Sequence, residues 1–407
     1  MEKPRYLVMV TSENNNKFYK QIPVDDNTWI AEYGRIGSTS TKRTYSMSVW
    51  DSKYREKLRK GYEDKSDLIE ETIIKIKGDG VEYREIENKA IAEIVEQLQA
   101  MAKKAISENY TVSSASVTQA MVDEAQDLLV YLTKDMTVKH FNEMLLKLFS
   151  TIPRRMTEVS RYLAKDKNDF TKIIKREQDL LDVMRTQVVQ QAPVVEDENV
   201  EKKDVTILEH MGLVFEECDN EDIAKIQMAL GSSVDKFSRA WKVTNLATQK
   251  KYDDFVKQEK IKKTKLLFHG SRNENWWSII STGLVLRPTN AVITGKLYGM
   301  GIYFAPKARK SIGYTSLNGS YWAGGHSNVA YMALMEVAYG KPYDVHGYDS
   351  RFYGMTYETL QKLQKGANCL HAHAGANMGG SSSLRNDEIV IYKEEQCTIK
   401  YLVEIKN

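Results

Sequence analysis

The spacing of apolar residues changes along the chain and separates a strand-rich beginning from a helical middle. Residues 6–11 and 28–33 are apolar, β-branched runs that are followed by polar or glycine-containing turns, which is the pattern of short strands. Residues 49–60 then follow the period of a charged amphipathic helix. We therefore predict a small, β-rich domain over residues 1–85.

The next region, residues 87–191, has apolar positions that recur with a helical period. One face carries Ile91, Ile94 and Leu98, and similar stripes follow until Pro153 interrupts them. We interpret these stripes as the core of an all-α helical bundle. Residues 192–204 combine a proline with an acidic run and are predicted to be a linker.

The last region, residues 205–407, alternates short apolar runs with segments rich in turn residues. The predicted strands are residues 265–268, 301–304, 334–338, 388–392 and 401–405. This arrangement predicts an antiparallel α+β domain, so the fold class of the whole chain is multidomain α+β.

Composition narrows the class of protein without naming a chemistry. The chain has 407 residues, a net charge of +3 and three cysteines. Three widely spaced cysteines argue against a disulfide framework, and no run approaches the length of a membrane span. We expect an intracellular protein without a membrane partner, nuclear in a eukaryote or cytoplasmic in a bacterium or phage. Any nucleic-acid surface must be local because the net charge is small.

Three residues of the last region carry the candidate chemistry. His269 ends a predicted strand, Tyr303 offers an aromatic face and Glu388 offers a carboxylate that could stabilise positive charge at an anomeric carbon. Gly270 allows a ligand to approach the backbone, and Ser271 adds a hydroxyl. Each residue type is more often structural than catalytic when it stands alone.

Four segments in a fixed order resemble the catalytic domain of the poly(ADP-ribose) polymerase family. They are residues 269–271, 299–305, 310–314 and 387–392. The resemblance extends from about residue 265 to the end of the chain and more weakly back to residue 204. It implies an NAD-dependent glycosyltransferase that breaks the nicotinamide–ribose bond and transfers ADP-ribose, with NAD as its substrate.

The resemblance implies how the nicotinamide end of NAD is held. The backbone of Gly270 and the hydroxyl of Ser311 grip the carboxamide. Tyr314 stacks on the nicotinamide ring, and Tyr303 lies on its other side.

The same resemblance assigns the adenosine side, the catalyst and the acceptor path. His269 bonds the adenosine-side ribose, and Ser271 and Asn275 match further contacts there. Glu388 binds the nicotinamide ribose, stabilises the cationic transition state and orients the acceptor, while Lys310 lies near the acceptor path.

A basic stretch between residues 33 and 60 predicts phosphate contacts, with a solvated helix face as the structural alternative. Residues 33–37 resemble the core of the WGR domain that accompanies DNA-dependent members of the family. The resemblance implies a DNA-binding set of Tyr33, Gly34, Arg35, Lys42 and Arg43. Tyrosine stands at residue 33 where the name-giving tryptophan is expected.

The helical middle, including residues 141–146 and 149–153, resembles the family's helical regulatory domain. In relatives this domain restricts access of NAD until DNA binds. The implied partners are DNA ends or nicks and protein acceptors, including the protein itself. The implied mechanism is a population shift in which DNA and NAD favour the same loosened state.

The sequence does not decide whether the product is a chain or a single unit, or which group is the acceptor. Glutamate at residue 388 is what polymerising members show, but residues 290–298 depart from the best-known polymerases, and Val285 stands where an adenosine-side arginine is usual. The alternatives are a mono-ADP-ribosyltransferase or NAD hydrolase acting on protein or nucleic-acid ends, and a weakly catalytic DNA-end binding protein. Retention of all three triad residues argues against the last.

One further cluster could bind a metal. Cys369, His371 and His373 alternate, which could place three ligands on one side of a strand. No fourth ligand is evident nearby, and structural zinc is nearly always four-coordinate. Incidental histidines in a strand and loop are the favoured interpretation, so no metal is predicted.

Overall fold

The computed structural model describes residues 2–66, 83–111, 117–190, 205–286, 297–320, 324–347, 349–377 and 383–407. The predicted linker at residues 192–204 lies outside the described residues, and so do residues 287–296 of the segment before Tyr303. The chain divides into two compact units. Unit one is Met1–Glu82 with Lys103–Lys202, and unit two is Tyr83–Ala102 with Lys203–Asn407.

The described strands and helices follow in chain order. The strands are β1 (Arg5–Val10), β2 (Asn16–Pro23), β3 (Thr28–Arg35), β4 (Thr41–Ser46), β5 (Glu63–Asp64), β6 (Leu213–Glu217), β7 (Phe237–Asn245), β8 (Lys265–Gly270), β9 (Ile302–Phe304), β10 (Val329–Val337), β11 (Pro342–Gly347), β12 (Cys369–Asn377), β13 (Glu388–Ile391) and β14 (Cys397–Lys406). The α-helices are α1 (Trp50–Arg59), α2 (Lys89–Asn109), α3 (Gln119–Leu132), α4 (Val138–Thr151), α5 (Asp169–Gln190), α6 (Ile207–Met211), α7 (Asn220–Leu230), α8 (Leu246–Gln258), α9 (Trp276–Thr282), α10 (Ala308–Ile312) and α11 (Tyr357–Leu363). Short 3-10 helices lie at Met47–Val49, Val159–Tyr162, Gly231–Lys236, Asn273–Asn275, Ser350–Gly354 and Glu394–Gln396.

Unit one contains an antiparallel sheet with the strand order β4-β3-β2-β1-β5. The strands predicted at residues 6–11 and 28–33 are confirmed as β1 and β3. Alternate residues of β3 turn inward, and Trp29 packs edge-on against Trp50 of α1 with ring centroids 5.3 Å apart. The side-chain amide of Gln21 donates to the Trp50 carbonyl at 2.9 Å, which ties the helix to the sheet.

The helices of unit one lie where the apolar residues of the sequence recur with a helical period. Thr118 and Thr137 cap α3 and α4, because each hydroxyl accepts a hydrogen bond from a backbone N–H in the first turn. Phe141 stacks on Phe170 with centroids 3.8 Å apart, so α4 packs against α5. The α4 helix ends two residues before Pro153, as the interrupted pattern predicts.

A buried ion pair lies inside unit one. Nε of Arg154 is 3.2 Å from the Glu177 carboxylate, and both side chains are 2% exposed. Arg154 also donates to the Asn109 carbonyl at 2.7 Å and lies over the Tyr110 ring. The side-chain amide of Asn16 donates to the Arg154 carbonyl at 3.0 Å, so the pair connects the helices with the sheet of the same unit.

Unit two contains two sheets. The first is antiparallel with the order β6-β7-β14-β10-β8, and the second has the order β11-β12-β13-β9. A bridge between Phe268 and Ala305 joins them, with N–H donated in both directions at 2.8 and 3.0 Å. The predicted strands at 265–268, 301–304 and 388–392 are confirmed to within two residues. The one at 401–405 lies within β14, which begins four residues earlier, and the one at 334–338 is the second half of β10.

The prediction of a wholly antiparallel domain is wrong for one strand pair. Strands β11 and β12 run parallel, while β12 with β13 and β13 with β9 are antiparallel. A parallel pair needs a crossover, and α11 lies in the chain between β11 and β12. The mixed α+β character of unit two stands. Among the helices of the described ranges, none is both long and apolar enough to cross a bilayer.

Candidate active site

The end of β8 positions His269. Its ring Nδ1 lies 3.1 Å from the Tyr303 carbonyl, and because a carbonyl only accepts, Nδ1 carries the proton and donates. The ring also meets Trp276 and Phe304 edge-on, at centroid distances of 6.5 and 5.9 Å. These contacts fix both the orientation and the tautomer of His269.

Gly270, the last residue of β8, touches the backbone of α10. A Cβ atom at Gly270 would stand 2.0 Å from the Ser311 carbonyl oxygen and 2.8 Å from its carbon. Only glycine permits this approach. The absence of a side chain here therefore brings β8 against the helix that carries Lys310 and Ser311.

Tyr303 lies in β9 and is anchored through its hydroxyl. The hydroxyl donates to the Gly299 carbonyl at 3.1 Å and accepts from the Tyr298 N–H at 3.0 Å. Burial raises the pKa of Tyr303 well above its ordinary value, so the phenol stays neutral. With the hydroxyl engaged, the ring face is the chemically distinctive part of this side chain.

Glu388 is the first residue of β13 and meets Lys310. Tyr303 pairs with Val390 of the same strand, so Glu388 and Tyr303 lie on one face of the sheet, two residues apart in register. The Lys310 ammonium contacts Oε1 of Glu388, and both side chains are largely buried. Burial lowers the pKa of Lys310 to about 8, and the negative charge of Asp387 opposes that shift.

The remaining predicted NAD contacts fall into two small groups. Asn275 is buried and donates to the Ser271 hydroxyl at 3.0 Å. Within the described part of the chain no donor reaches Oδ1 of Asn275. On the other side of Gly270, the N–H of Tyr314 donates to the Ser311 carbonyl at 3.0 Å, which holds this tyrosine beside α10. Burial raises the pKa of Tyr314.

Asp387 is a polar residue of the site that the sequence did not single out. It accepts from the Ala374 N–H at 2.9 Å and lies 3.1 Å from Nε2 of His371. Burial raises the pKa of Asp387, but these hydrogen bonds outweigh it and the pKa is lowered overall. Its place immediately before Glu388 was the available signal.

The predicted DNA-binding residues lie in the sheet of unit one. Tyr33 stacks on Tyr19 with centroids 6.0 Å apart, and the Lys57 ammonium lies 5.9 Å from the Tyr33 ring centre. Strand β4 is exposed along nearly all its length and presents Lys42 and Arg43. This outer strand is the most accessible basic part of the predicted set.

Arg35 is engaged within unit one. Its guanidinium donates to the Asn14 carbonyl at 2.9 Å, to the Met156 carbonyl at 3.2 Å and to the Thr157 carbonyl at 2.6 Å. These acceptors join β3 to the segment that follows α4. Gly34 precedes Arg35, and a Cβ there would stand 3.0 Å from the Thr39 carbonyl oxygen.

Comparison with known proteins agrees with this arrangement. The family model of the poly(ADP-ribose) polymerase catalytic domain matches residues 219–407. Putative poly [ADP-ribose] polymerase-like 100L of Invertebrate iridescent virus 6 is 31% identical over 173 residues, which are 42% of this chain and 87% of the viral protein. Uncharacterized protein 101L of the same virus is 32% identical over 185 residues, covering 45% of this chain and 76% of its own length.

A longer mammalian protein is also similar. Protein mono-ADP-ribosyltransferase PARP3 of Mus musculus is 29% identical over 256 residues, which are 56% of this chain and 46% of the mouse protein. The fold of unit two and the matched catalytic domain define an NAD+ ADP-ribosyltransferase. The chain belongs to the poly(ADP-ribose) polymerase family. NAD is accordingly its substrate.

Proposed function

We propose that the protein is a poly(ADP-ribose) polymerase that DNA breaks activate and that modifies protein acceptors, including itself. The observation that carries the catalytic part is a continuous set of contacts. His269 bonds the Tyr303 backbone, Tyr303 shares a sheet face with Glu388, and Glu388 contacts Lys310. The α10 helix, which carries Lys310, packs against β8 at Gly270.

The nicotinamide end of NAD binds around Gly270. The short distance between Gly270 and Ser311 concentrates backbone groups and a hydroxyl where a carboxamide needs both donors and acceptors. The rings of Tyr303 and Tyr314 enclose the nicotinamide, and the anchored hydroxyl of Tyr303 holds its ring in place.

The adenosine end binds beside β8 and α9. The protonated Nδ1 of His269 donates to the Tyr303 carbonyl, so Nε2 is the ring nitrogen that carries a lone pair and can accept from a ribose hydroxyl. Ser271 and Asn275, already linked to each other, provide polar contacts, and the buried Oδ1 of Asn275 can accept from a hydroxyl of the ligand.

Glu388 supplies the catalytic charge. When the bond between the ribose anomeric carbon and nicotinamide breaks, nicotinamide leaves with the bonding electrons and positive charge develops on the ribose. A carboxylate at a partly buried site stabilises that charge more strongly than it would in water. The acceptor oxygen or nitrogen then bonds to the anomeric carbon and gives up its proton.

Elongation rests on the Lys310–Glu388 pair. A growing chain presents a ribose hydroxyl as the acceptor, and Glu388 can hold that hydroxyl while Lys310 lies beside its path. Single-unit transfer is the second candidate, because the chain is similar over 256 residues to a mouse protein named as a mono-ADP-ribosyltransferase.

The regulatory part rests on residues 1–191, most of which lie in unit one. We assign residues 1–85 to a WGR-like DNA-binding domain, 87–191 to a helical regulatory domain, 192–204 to a linker and 205–407 to the catalytic domain. Lys42 and Arg43 on exposed β4 contact DNA phosphates, with Tyr33 and Gly34 behind them. Arg35 transmits DNA binding to the helical segment through its bonds to the Met156 and Thr157 carbonyls.

One experiment separates the parts of this proposal. The protein is incubated with labelled NAD and with nicked duplex, blunt duplex or no DNA, and the products are sized and the label located. The proposal predicts long chains on protein, with more product when broken DNA is present. Single units would favour the mono-transferase, and equal rates with and without DNA would remove the activation step.

Glu388→Gln is the matched catalytic control. This variant keeps the size of the side chain and removes its charge, so labelled product should disappear under all DNA conditions.

In the unchanged protein, label on the DNA instead of the protein would assign nucleic-acid ends as the acceptor.

A further inference from the structure

A group of imidazole and carboxylate side chains lies on the second sheet of unit two. Asp344 of β11 pairs with His371 of β12 in the parallel ladder, and His373 follows two residues later on the same side of the strand. Nε2 of His373 is 2.7 Å from Oδ1 of Asp344, and Nδ1 of His371 is 3.9 Å from the same oxygen. The three ligand atoms all lie within 4.8 Å of one another.

These separations suit one shared cation. Zn²⁺ bonds nitrogen and oxygen ligands at about 2.0–2.2 Å, so tetrahedral ligands stand about 3.3 Å apart. The measured separations of 2.7 and 3.9 Å lie on either side of that value. Small side-chain rotations would therefore bring Asp344, His371 and His373 onto one ion.

His371 has a neighbour that prepares its ring for a metal. Oδ2 of Asp387 lies 3.1 Å from Nε2 of His371, the distance of a hydrogen bond in which the carboxylate accepts the Nε2 proton. Nδ1, which faces Asp344, is then the atom with a lone pair. A carboxylate behind a ligating histidine is the usual support for a metal-bound imidazole. The Tyr339 hydroxyl, 2.8 Å from Nδ1, would donate there when no metal is bound.

The ligand set differs from the one that the sequence suggested. Cys369 is fully buried, and its thiol donates to the Tyr339 carbonyl at 3.2 Å, outside the group of three ligand atoms. Asp344, 27 residues before His371, takes its place through the parallel pairing. His373 is only partly buried and Asp344 is exposed, so an ion can reach the site from solvent.

We infer that Asp344, His371 and His373 form a site for a borderline divalent transition metal of the Zn²⁺ class, with water completing the coordination. Two imidazoles and one carboxylate favour such a metal over the hard cations Mg²⁺ and Ca²⁺, which prefer oxygen. The ion would hold β11 to β12 and, through His371 and Asp387, fix the residue that precedes Glu388. This is a positioning role, and it requires no step of the NAD chemistry to pass through the metal.

Metal binding is measured on the full chain without an affinity tag. The protein is stripped with a chelator, dialysed against Zn²⁺ and then against metal-free buffer, and its zinc content is determined. The expected result is about one retained Zn²⁺ per chain and a rise in Tm on adding Zn²⁺ that Mg²⁺ does not produce. Co²⁺ in place of Zn²⁺ should give a visible d–d spectrum of imidazole and oxygen ligation.

Substitutions test which residues bind the metal. His373→Ala and Asp344→Asn should each lose the retained zinc and the zinc-dependent rise in Tm, with at least a tenfold weaker affinity. His326→Ala, which removes an exposed histidine elsewhere in unit two, should bind as the unchanged protein does. The Tm of each stripped variant shows whether it is folded.

Two results would overturn the inference. One is a stripped, folded protein that retains no zinc. The other is zinc binding that His373→Ala and Asp344→Asn leave unchanged, which would place the ion elsewhere. Loss of zinc in both variants, together with the unchanged His326→Ala protein, would establish the site.

Discussion

The two units each hold an arginine or lysine paired with a glutamate, and the two pairs are built differently. Arg154 and Glu177 in unit one are almost fully buried, and the arginine also bonds a carbonyl and covers an aromatic ring. In unit two, Lys310 on α10 and Glu388 at the start of β13 are 14% and 12% exposed.

The difference shows how surroundings decide what an ion pair does. A fully enclosed pair fixes one packing arrangement, and removing one partner leaves the other charge buried with less compensation. Lys310, whose pKa burial lowers to about 8, and Glu388 at a strand end each keep part of the side chain exposed to a ligand. We therefore expect changes at the first pair to alter stability and changes at the second to alter catalysis.

The largest expected effect on stability comes from Arg154→Ala. This change removes the buried one of the two arginines that contact Glu177 and leaves the more exposed Arg176, whose Nε is 2.8 Å from the carboxylate. Breaking a buried pair typically costs about 3–5 kcal/mol, and the remaining contact with Arg176 places this variant at the low end. Chemical denaturation followed by circular dichroism measures the free energy of unfolding. Lys167→Ala, at an exposed lysine paired with Asp135, is the control and should leave that free energy nearly unchanged. Equal losses in the two variants would contradict a structural role for the buried pair.

Gly270→Ala should disturb the exposed pair indirectly. The new Cβ would collide with the Ser311 carbonyl and push α10, which carries Lys310, away from β8. Overpacking of this kind costs about 1–3 kcal/mol, so kcat/KM for NAD should fall roughly 5- to 100-fold. Gly347→Ala is the matched control because a Cβ there meets no atom within 4 Å. An unchanged KM and kcat in Gly270→Ala would show that the β8–α10 contact does not shape the site.

The pH profile tests the charge of Lys310. As pH rises through about 8, Lys310 loses its proton, and the Glu388 side chain loses its neighbouring cation. We expect NAD cleavage to rise several-fold through this range in the unchanged protein and to show no such step in Lys310→Met. An identical step in both would assign the titration to another group.

The same lysine has a consequence for stability. Its pKa in the folded state lies below the ordinary 10.5, so the unfolded chain binds more protons between about 8 and 10.5. The contribution of Lys310 to stability is therefore fully present above pH 10.5 and is lost as pH falls through about 8. The difference in unfolding free energy between the unchanged protein and Lys310→Met should follow that direction.

The smallest effect concerns exposed cations of unit one. Replacing both Lys42 and Arg43 with glutamine should lower the slope of log affinity for nicked DNA against log salt by about 2, since each phosphate contact contributes about 1. Unfolding and DNA-independent NAD cleavage should not change. Lys104→Gln with Lys167→Gln removes the same charge from outside the sheet, and an equal fall in slope there would mean that β4 is not the DNA surface.

The sequence predicted the elements better than their pairing. Strands with β-branched apolar runs, such as β1 and β13, and the helices with apolar stripes were found because local periodicity specifies them. The parallel pairing of β11 with β12 was not found, because two strands separated by a crossover carry no local mark of their direction. The contact of Asp344 with His373 depends on that pairing and was missed for the same reason.

In the candidate site, too, the sequence predicted the residues of the motifs but not the long-range contacts. Residues 269, 303 and 388 came from matched motifs, and the structure brings His269 to Tyr303 and Glu388 to Lys310. The bonds of Arg35 to the carbonyls of Met156 and Thr157 span more than 120 residues of sequence, and nothing near Arg35 indicated them. Long-range polar contacts to backbone groups leave no residue-type signature in a single sequence.

The central claim is tested most directly by comparing Glu388→Gln with Glu177→Gln at a temperature where both are folded. For Glu388→Gln we predict a fall in the rate of NAD cleavage of about 100-fold or more, as loss of a positioned electrostatic stabiliser produces, with little change in unfolding free energy. For Glu177→Gln we predict a large loss of stability and an unchanged rate per folded molecule. NAD turnover that survives Glu388→Gln at its original rate would contradict the account.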